Sequence, residues 1–129
     1  MATKTVIRTE NAPAPFQGAP YSQAIRAGDF VFVSGQLAMN PADGKMVEGS
    51  IGEMTERILT NIGAILEAAG SSLENLVKTS VFLADLGDFA AMNEAYAKYV
   101  GPNPPARSTF QVAALPAGAR IEIEVVAHV

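Results

Sequence analysis

From Ser50 onward, apolar residues recur at three-and-four spacing: Ile51, Met54, Ile58, Ile62, Ile65 and Ala69, with Leu59 and Leu66 widening the stripe. That period predicts an amphipathic helix of about five turns. Ser50 and Glu53 match a capping box at its start, and Gly70 supplies the stop. A second helix is predicted from Asp85 or Asp88 to Gly101-Pro102, with Phe89, Met92, Tyr96 and Tyr99 on one face and Glu94 paired to Lys98. The remaining apolar runs are strand-like: Lys4–Arg8, Ala24–Ala27, Phe30–Ser34, Leu76–Leu83, Arg107–Ala113 and Arg120–Val129. Gly28-Asp29 reads as a tight hairpin turn, Asn40–Gly44 as a second turn, and Asn11–Pro20 as loop.

The order is three strands, helix, strand, helix, two strands, all in a single domain spanning 1–129. Two helices suffice to cover one face of a sheet of five or six strands. In the last strand Ile121, Ile123, Val125 and Ala127 share the face assigned to the helices, and Glu122, Glu124, Val126 and His128 share the other. Phe30–Val33 and Val81–Leu83 are apolar on both faces, so the uncovered face is expected to be buried by other copies of the chain.

Composition removes several classes of function. The net charge is −4 and the nine Lys and Arg form no run, which argues against a nucleic-acid partner. There is no cysteine and one histidine, His128. Thiolate metal sites and Cys nucleophiles are therefore excluded, and His-based catalysis and zinc sites lose most of their support. No stretch has the roughly 20 apolar residues of a membrane span and no signal pattern opens the chain, so the expected location is cytoplasmic.

The candidate chemistry lies late in the chain. Pro104 and Pro105 hold the approach to Arg107 extended, and Glu124 falls on a pleat face of the next strand. A fixed guanidinium grips a substrate carboxylate bidentately, and a fixed carboxylate handles a water or a proton. The plain alternative is a cross-strand ion pair within a hairpin. Arg120 reads as a surface partner of Glu122.

A set of ordered segments covering nearly the whole chain resembles the RidA/YjgF family. These are Ala19–Gln23, Val33–Gln36, Asn61-Ile62 with Leu66–Gly70, Val77–Thr79, Pro105–Ser108 and Ile121–Glu124. The resemblance implies an α+β, chorismate-mutase-like fold: a mixed, mostly antiparallel sheet of about six strands with two helices on one face. It also implies a homotrimer with clefts between subunits. The activity it implies is cofactor-free hydrolysis of 2-imino or enamine acids to 2-oxo acids and ammonia. Within that family pattern Arg107 matches the arginine holding the substrate carboxylate, and Glu124 the glutamate near the attacking water. Tyr21 and Ser34 match hydroxyls lining the cleft, Gly35 the adjoining backbone, and Asn93 an asparagine reaching in from the second helix. Thr109 stands where many members have cysteine, at a position credited with a backbone contact. The loop Phe16–Tyr21 is longer than the family's compact Gly-Pro-Tyr, which bears on where Tyr21 lies.

Two other readings remain beside the deaminase: a trimer that binds a small metabolite without turnover, and an RNA-cleaving translation inhibitor. The acidic balance and the single His weigh against the second, because ribonucleases use phosphate anchors and an acid–base pair.

Overall fold

The structure is a computed structural model that describes residues 3–129. It contains strands β1 (Lys4–Ile7), β2 (Ala24–Ala27) and β3 (Phe30–Gln36), helix α1 (Ile51–Ala68), β4 (Leu76–Leu83), helix α2 (Phe89–Val100), β5 (Ala106–Gln111) and β6 (Ile121–His128). One six-stranded sheet runs in the order β1-β2-β3-β6-β4-β5. Every pairing is antiparallel except β4 with β5. The parallel pair follows from the chain path, since α2 is the crossover that returns β5 in the direction of β4. The expected α+β arrangement is the one observed.

The capping box forms as the sequence predicts. The Ser50 hydroxyl accepts from the Glu53 N–H at 3.1 Å, and a Glu53 carboxylate oxygen accepts from the Ser50 N–H at 3.3 Å. Behind this cap, Ile58, Leu59, Ile62, Ile65 and Leu66 lose all exposure against the sheet. Their partners are Val31 and Val33 of β3, Val81 and Leu83 of β4, and Ile121, Ile123, Val125 and Ala127 of β6. Truncating any one of the Ile or Leu side chains among them to Ala would cost about 2–5 kcal/mol.

The charge pairs differ from expectation. Lys98 lies 3.8 Å from Glu56 of α1, which draws it away from Glu94. Arg120 pairs with both carboxylate oxygens of Asp88, each at 3.1 Å, and not with Glu122. With its carboxylate so engaged, Asp88 places no side-chain cap on α2. Asp85 instead caps the short turn Leu86–Asp88, accepting from the Gly87 N–H at 2.7 Å. β5 and β6 are also not hairpin partners. β4 lies between them, so a cross-strand Arg107–Glu124 pair does not form.

One face of the sheet has no covering helix. On it Val6, Phe30, Phe32 and Phe110 are each more than two-fifths exposed. The register aligns Val6 with Ile25, Ile25 with Phe32, and Phe32 with Val126, an apolar row crossing four strands.

Candidate active site

The seven residues singled out in the sequence fall into two groups on opposite faces of the sheet. Register decides this. Thr79 of β4 aligns with both Arg107 and Val125, while its neighbour Ser80 aligns with both Ser108 and Glu124. Side chains alternate along a strand, so Arg107 shares the helix face with buried Val125, and Glu124 shares the open face with Ser80 and Ser108. Two strand steps, roughly 10 Å, also separate β5 from β6.

Tyr21, Ser34, Gly35 and Glu124 form the first group. Together with Glu122 they line a cleft of about 520 Å³. Its floor is a bulge: Val33 aligns with Val125 and Gln36 with Ile123, so Ser34 and Gly35 together oppose Glu124 alone. Bulges of this kind re-aim side chains and are common beside active sites. The Ser34 hydroxyl donates to the Ser22 carbonyl at 2.6 Å. Gly35 is required by a close approach. A Cβ there would lie 2.6 Å from a Glu122 carboxylate oxygen.

The loop before Tyr21 folds into a single turn, Phe16–Gly18, with Gln17 and Gly18 at positive φ. The Phe16 N–H donates to the Tyr21 hydroxyl. Buried Gln23 ties the preceding segment down, accepting from the Thr9 N–H at 2.7 Å and donating to the Pro13 carbonyl at 2.8 Å. The longer loop therefore pins the Tyr21 hydroxyl at the rim of the cleft. A larger hollow of about 730 Å³ lies between Arg8, Glu10, Tyr21 and Pro41. The amide of Gln23, its most deeply buried polar group, is spent on the loop, so the chemistry favours the smaller cleft.

Glu122 is the residue that sequence reasoning missed. Burial, and then the charge of Glu124, push its carboxyl above the usual carboxylate range. The signal present in the sequence was the Glu-Ile-Glu spacing, which puts two carboxylates on one pleat face. The bulge that brings Gly35 against Glu122 carried no such signal.

Asn93, Arg107 and Thr109 form the second group, on α2 and the outer strand β5. The Arg107 guanidinium carbon lies 4.8 Å from the centroid of the Tyr96 ring and 5.6 Å from that of Phe89. One of its terminal nitrogens is 4.0 Å from the Met92 sulfur. Among the described residues Arg107 enters no ion pair. The side-chain oxygens of Asn93 and Thr109 are buried without a hydrogen-bonding partner. A cation resting on aromatic faces, with no carboxylate on its N–H groups, is suited to take an incoming anion. Among the described residues no cluster of three His, Cys, Asp or Glu is placed to hold a metal, and no helix is long and apolar enough to cross a membrane.

A mixed six-stranded sheet carrying two helices, with a carboxylate cleft at a bulge and a free arginine at its edge, defines the class. Residues 9–129 match the family model described as Endoribonuclease L-PSP, and the chain belongs to this family, the YjgF/RidA family. It is 51% identical over 125 residues to a RutC family protein of Pyrococcus horikoshii, covering 97% of this chain and 98% of that one. It is 48% identical to the human 2-iminobutanoate/2-iminopropanoate deaminase, covering 96% and 89% respectively. Among solved structures, RidA from a Psychrobacter species superposes with a TM-score of 0.92 at 42% identity, over 97% of this chain and 99% of that one. TdcF of E. coli with bound serine superposes at 0.90 and 36% identity, over 97% and 98%.

Proposed function

We propose that this chain hydrolyses 2-imino and enamine acids, 2-iminopropanoate and 2-iminobutanoate among them, to 2-oxo acids and ammonia. The observation that carries the reading is the free Arg107 guanidinium on one sheet face, with the paired carboxylates Glu122 and Glu124 on the other. Within one chain these groups do not meet. A homotrimer whose clefts join the β5 edge of one copy to the open face of the next brings them together. The apolar row from Val6 to Val126 supports such an assembly, because exposed patches of this kind are usually covered by a partner. Relatives bearing the deaminase name, and a relative holding serine, an amino acid with an α-carboxylate, support the substrate class.

The chemistry is light. Arg107 holds the substrate carboxylate by two parallel hydrogen bonds and fixes the imine carbon. Water adds to that carbon, the imine nitrogen gains a proton, and the resulting carbinolamine expels ammonia to leave the carbonyl. The role first placed on Glu124 is shared with Glu122. Glu122, whose carboxyl is pushed above the usual range by burial and then by the charge of Glu124, relays protons between water and nitrogen. Tyr21 and Ser34 close the polar rim. An imine is electrophilic enough for this set, so the reaction needs no cofactor.

The test is a coupled assay in which a threonine or serine dehydratase generates the imine and its loss is followed with and without the protein. Acceleration is expected, and Arg107→Ala should reduce it about 100-fold or more, the size of two lost charge-assisted hydrogen bonds. Retained activity in that variant refutes the anchor. A metabolite-binding trimer without turnover is the second reading, favoured by the serine held by the TdcF relative. It is selected if the folded protein binds a 2-oxo acid but leaves the imine untouched.

A further inference from the structure

The buried face of α2 contains a polar contact that core packing alone does not require. Tyr96 is 5% exposed and Thr79 only 1%, and their hydroxyls lie 2.8 Å apart. Thr79 is the residue of β4 aligned directly with Arg107 of β5. The same Tyr96 ring lies 4.8 Å below the Arg107 guanidinium carbon. One buried hydrogen bond therefore sets the ring on which the guanidinium rests, and that bond comes from the strand position alongside Arg107.

We propose that Tyr96, oriented by the Thr79 hydroxyl, is the positioning residue that holds the Arg107 guanidinium in the plane and direction needed to receive a ligand carboxylate in both oxygens at once. This rests on the reading of Arg107 as a carboxylate anchor.

The physical argument has three steps. Bidentate recognition is planar, so the guanidinium must be held against rotation as well as brought near the ligand. A carboxylate partner in the same chain would hold it, but would also occupy the donors that the ligand needs. An aromatic face attracts the cation through its quadrupole and leaves the N–H groups free at the edge. Phe89, with its centroid 5.6 Å away and the residue 40% exposed, limits the guanidinium from a second direction. The Met92 sulfur adds a soft contact at 4.0 Å. The hydroxyl pair fixes where the Tyr96 side chain lies, since swinging it away about Cα–Cβ would leave two buried oxygens without partners.

The experiment measures binding of 2-oxobutanoate by calorimetry, in the full protein, for Tyr96→Leu, Tyr96→Phe and Thr79→Val. Each substitution is made in the wild type and in Arg107→Lys, whose ammonium carries charge without a plane to orient. Tyr96→Leu should weaken binding about tenfold in the wild type, the factor that ~1.4 kcal/mol represents, and much less in Arg107→Lys. Tyr96→Phe, which keeps the ring but loses the hydroxyl pair, should recover part of the loss and stay about threefold weaker than wild type, as Thr79→Val does. An equal loss in both backgrounds would show a role confined to packing and overturn the proposal. So would wild-type affinity in Tyr96→Leu. Should Tyr96→Leu fail to fold, Thr79→Val decides, with a loss of about threefold expected and unchanged affinity refuting the proposal. The outcomes also separate this inference from the deaminase reading. If the protein binds the 2-oxo acid through Arg107 but leaves the imine untouched, turnover falls and the positioning role stands. If Arg107→Ala binds as tightly as wild type, the anchor falls and Tyr96 with it.

Discussion

The two halves of the candidate site are built by opposite means. Around Arg107, regular structure does the work: a parallel strand, an α-helix and two aromatic rings fix a charged group that meets no carboxylate among the described residues. Around Glu122, irregular structure does it: a bulge, a glycine without room for a Cβ, and a loop turned through two residues of positive φ. In the proposed reaction the cationic half is the anchor, and an anchor gains from rigidity. The acidic half offers a carboxyl whose hold on a proton is raised, first by burial in the cleft and then by the charge of Glu124. Within one chain the two halves lie on opposite faces of the sheet and do not meet.

That separation is open to a direct break. Arg107→Ala and Glu122→Gln should each lower imine hydrolysis by about 100-fold or more, whereas refolding the two inactive variants together should restore a substantial fraction of activity. In the proposed homotrimer, mixed assemblies would contain some clefts with both intact groups, and the absence of recovery after confirmed mixing would refute a cleft shared between copies. Gly35→Ala sharpens the acidic half. The new Cβ displaces the flexible end of Glu122 and leaves the backbone where it is. The melting temperature should thus change little while activity falls about 10- to 100-fold, the scale of a misplacement of about 1 Å. A large loss of stability instead would show that the bulge cannot yield.

The smallest effect is on stability against pH. The folded-state pKa of Glu122 is raised above the unfolded value, so the folded chain binds the proton more tightly than the unfolded one. Stability is therefore fully present below the unfolded pKa and declines as pH rises through the folded one. Glu122→Gln should remove that decline and be more stable than wild type at neutral pH, as read from denaturant melts across the window. Glu124→Gln should reduce it only in part, because burial is the larger cause. An unchanged slope in Glu122→Gln would assign the shift to another group.

Both helices, all six strands and the helix-covered face of the sheet follow from local pattern, because periods of 3.6 and 2 are written in consecutive residues. The Ser50 cap follows for the same reason, its two hydrogen bonds spanning only three residues. Arg107 and Glu124 were recognisable as chemistry-bearing side chains in the same way. Their relationship was not. Adjacent in strand count, they suggested a hairpin pair, and only the insertion of β4 between β5 and β6 put them on opposite faces. Long-range register also sent Arg120 to Asp88 and Lys98 to Glu56, and set Gly35 beneath Glu122. Short-range order thus determined which elements form and which residues carry charge. The tertiary structure decided which charges meet, because strand order and a one-residue bulge depend on contacts between segments far apart in the chain.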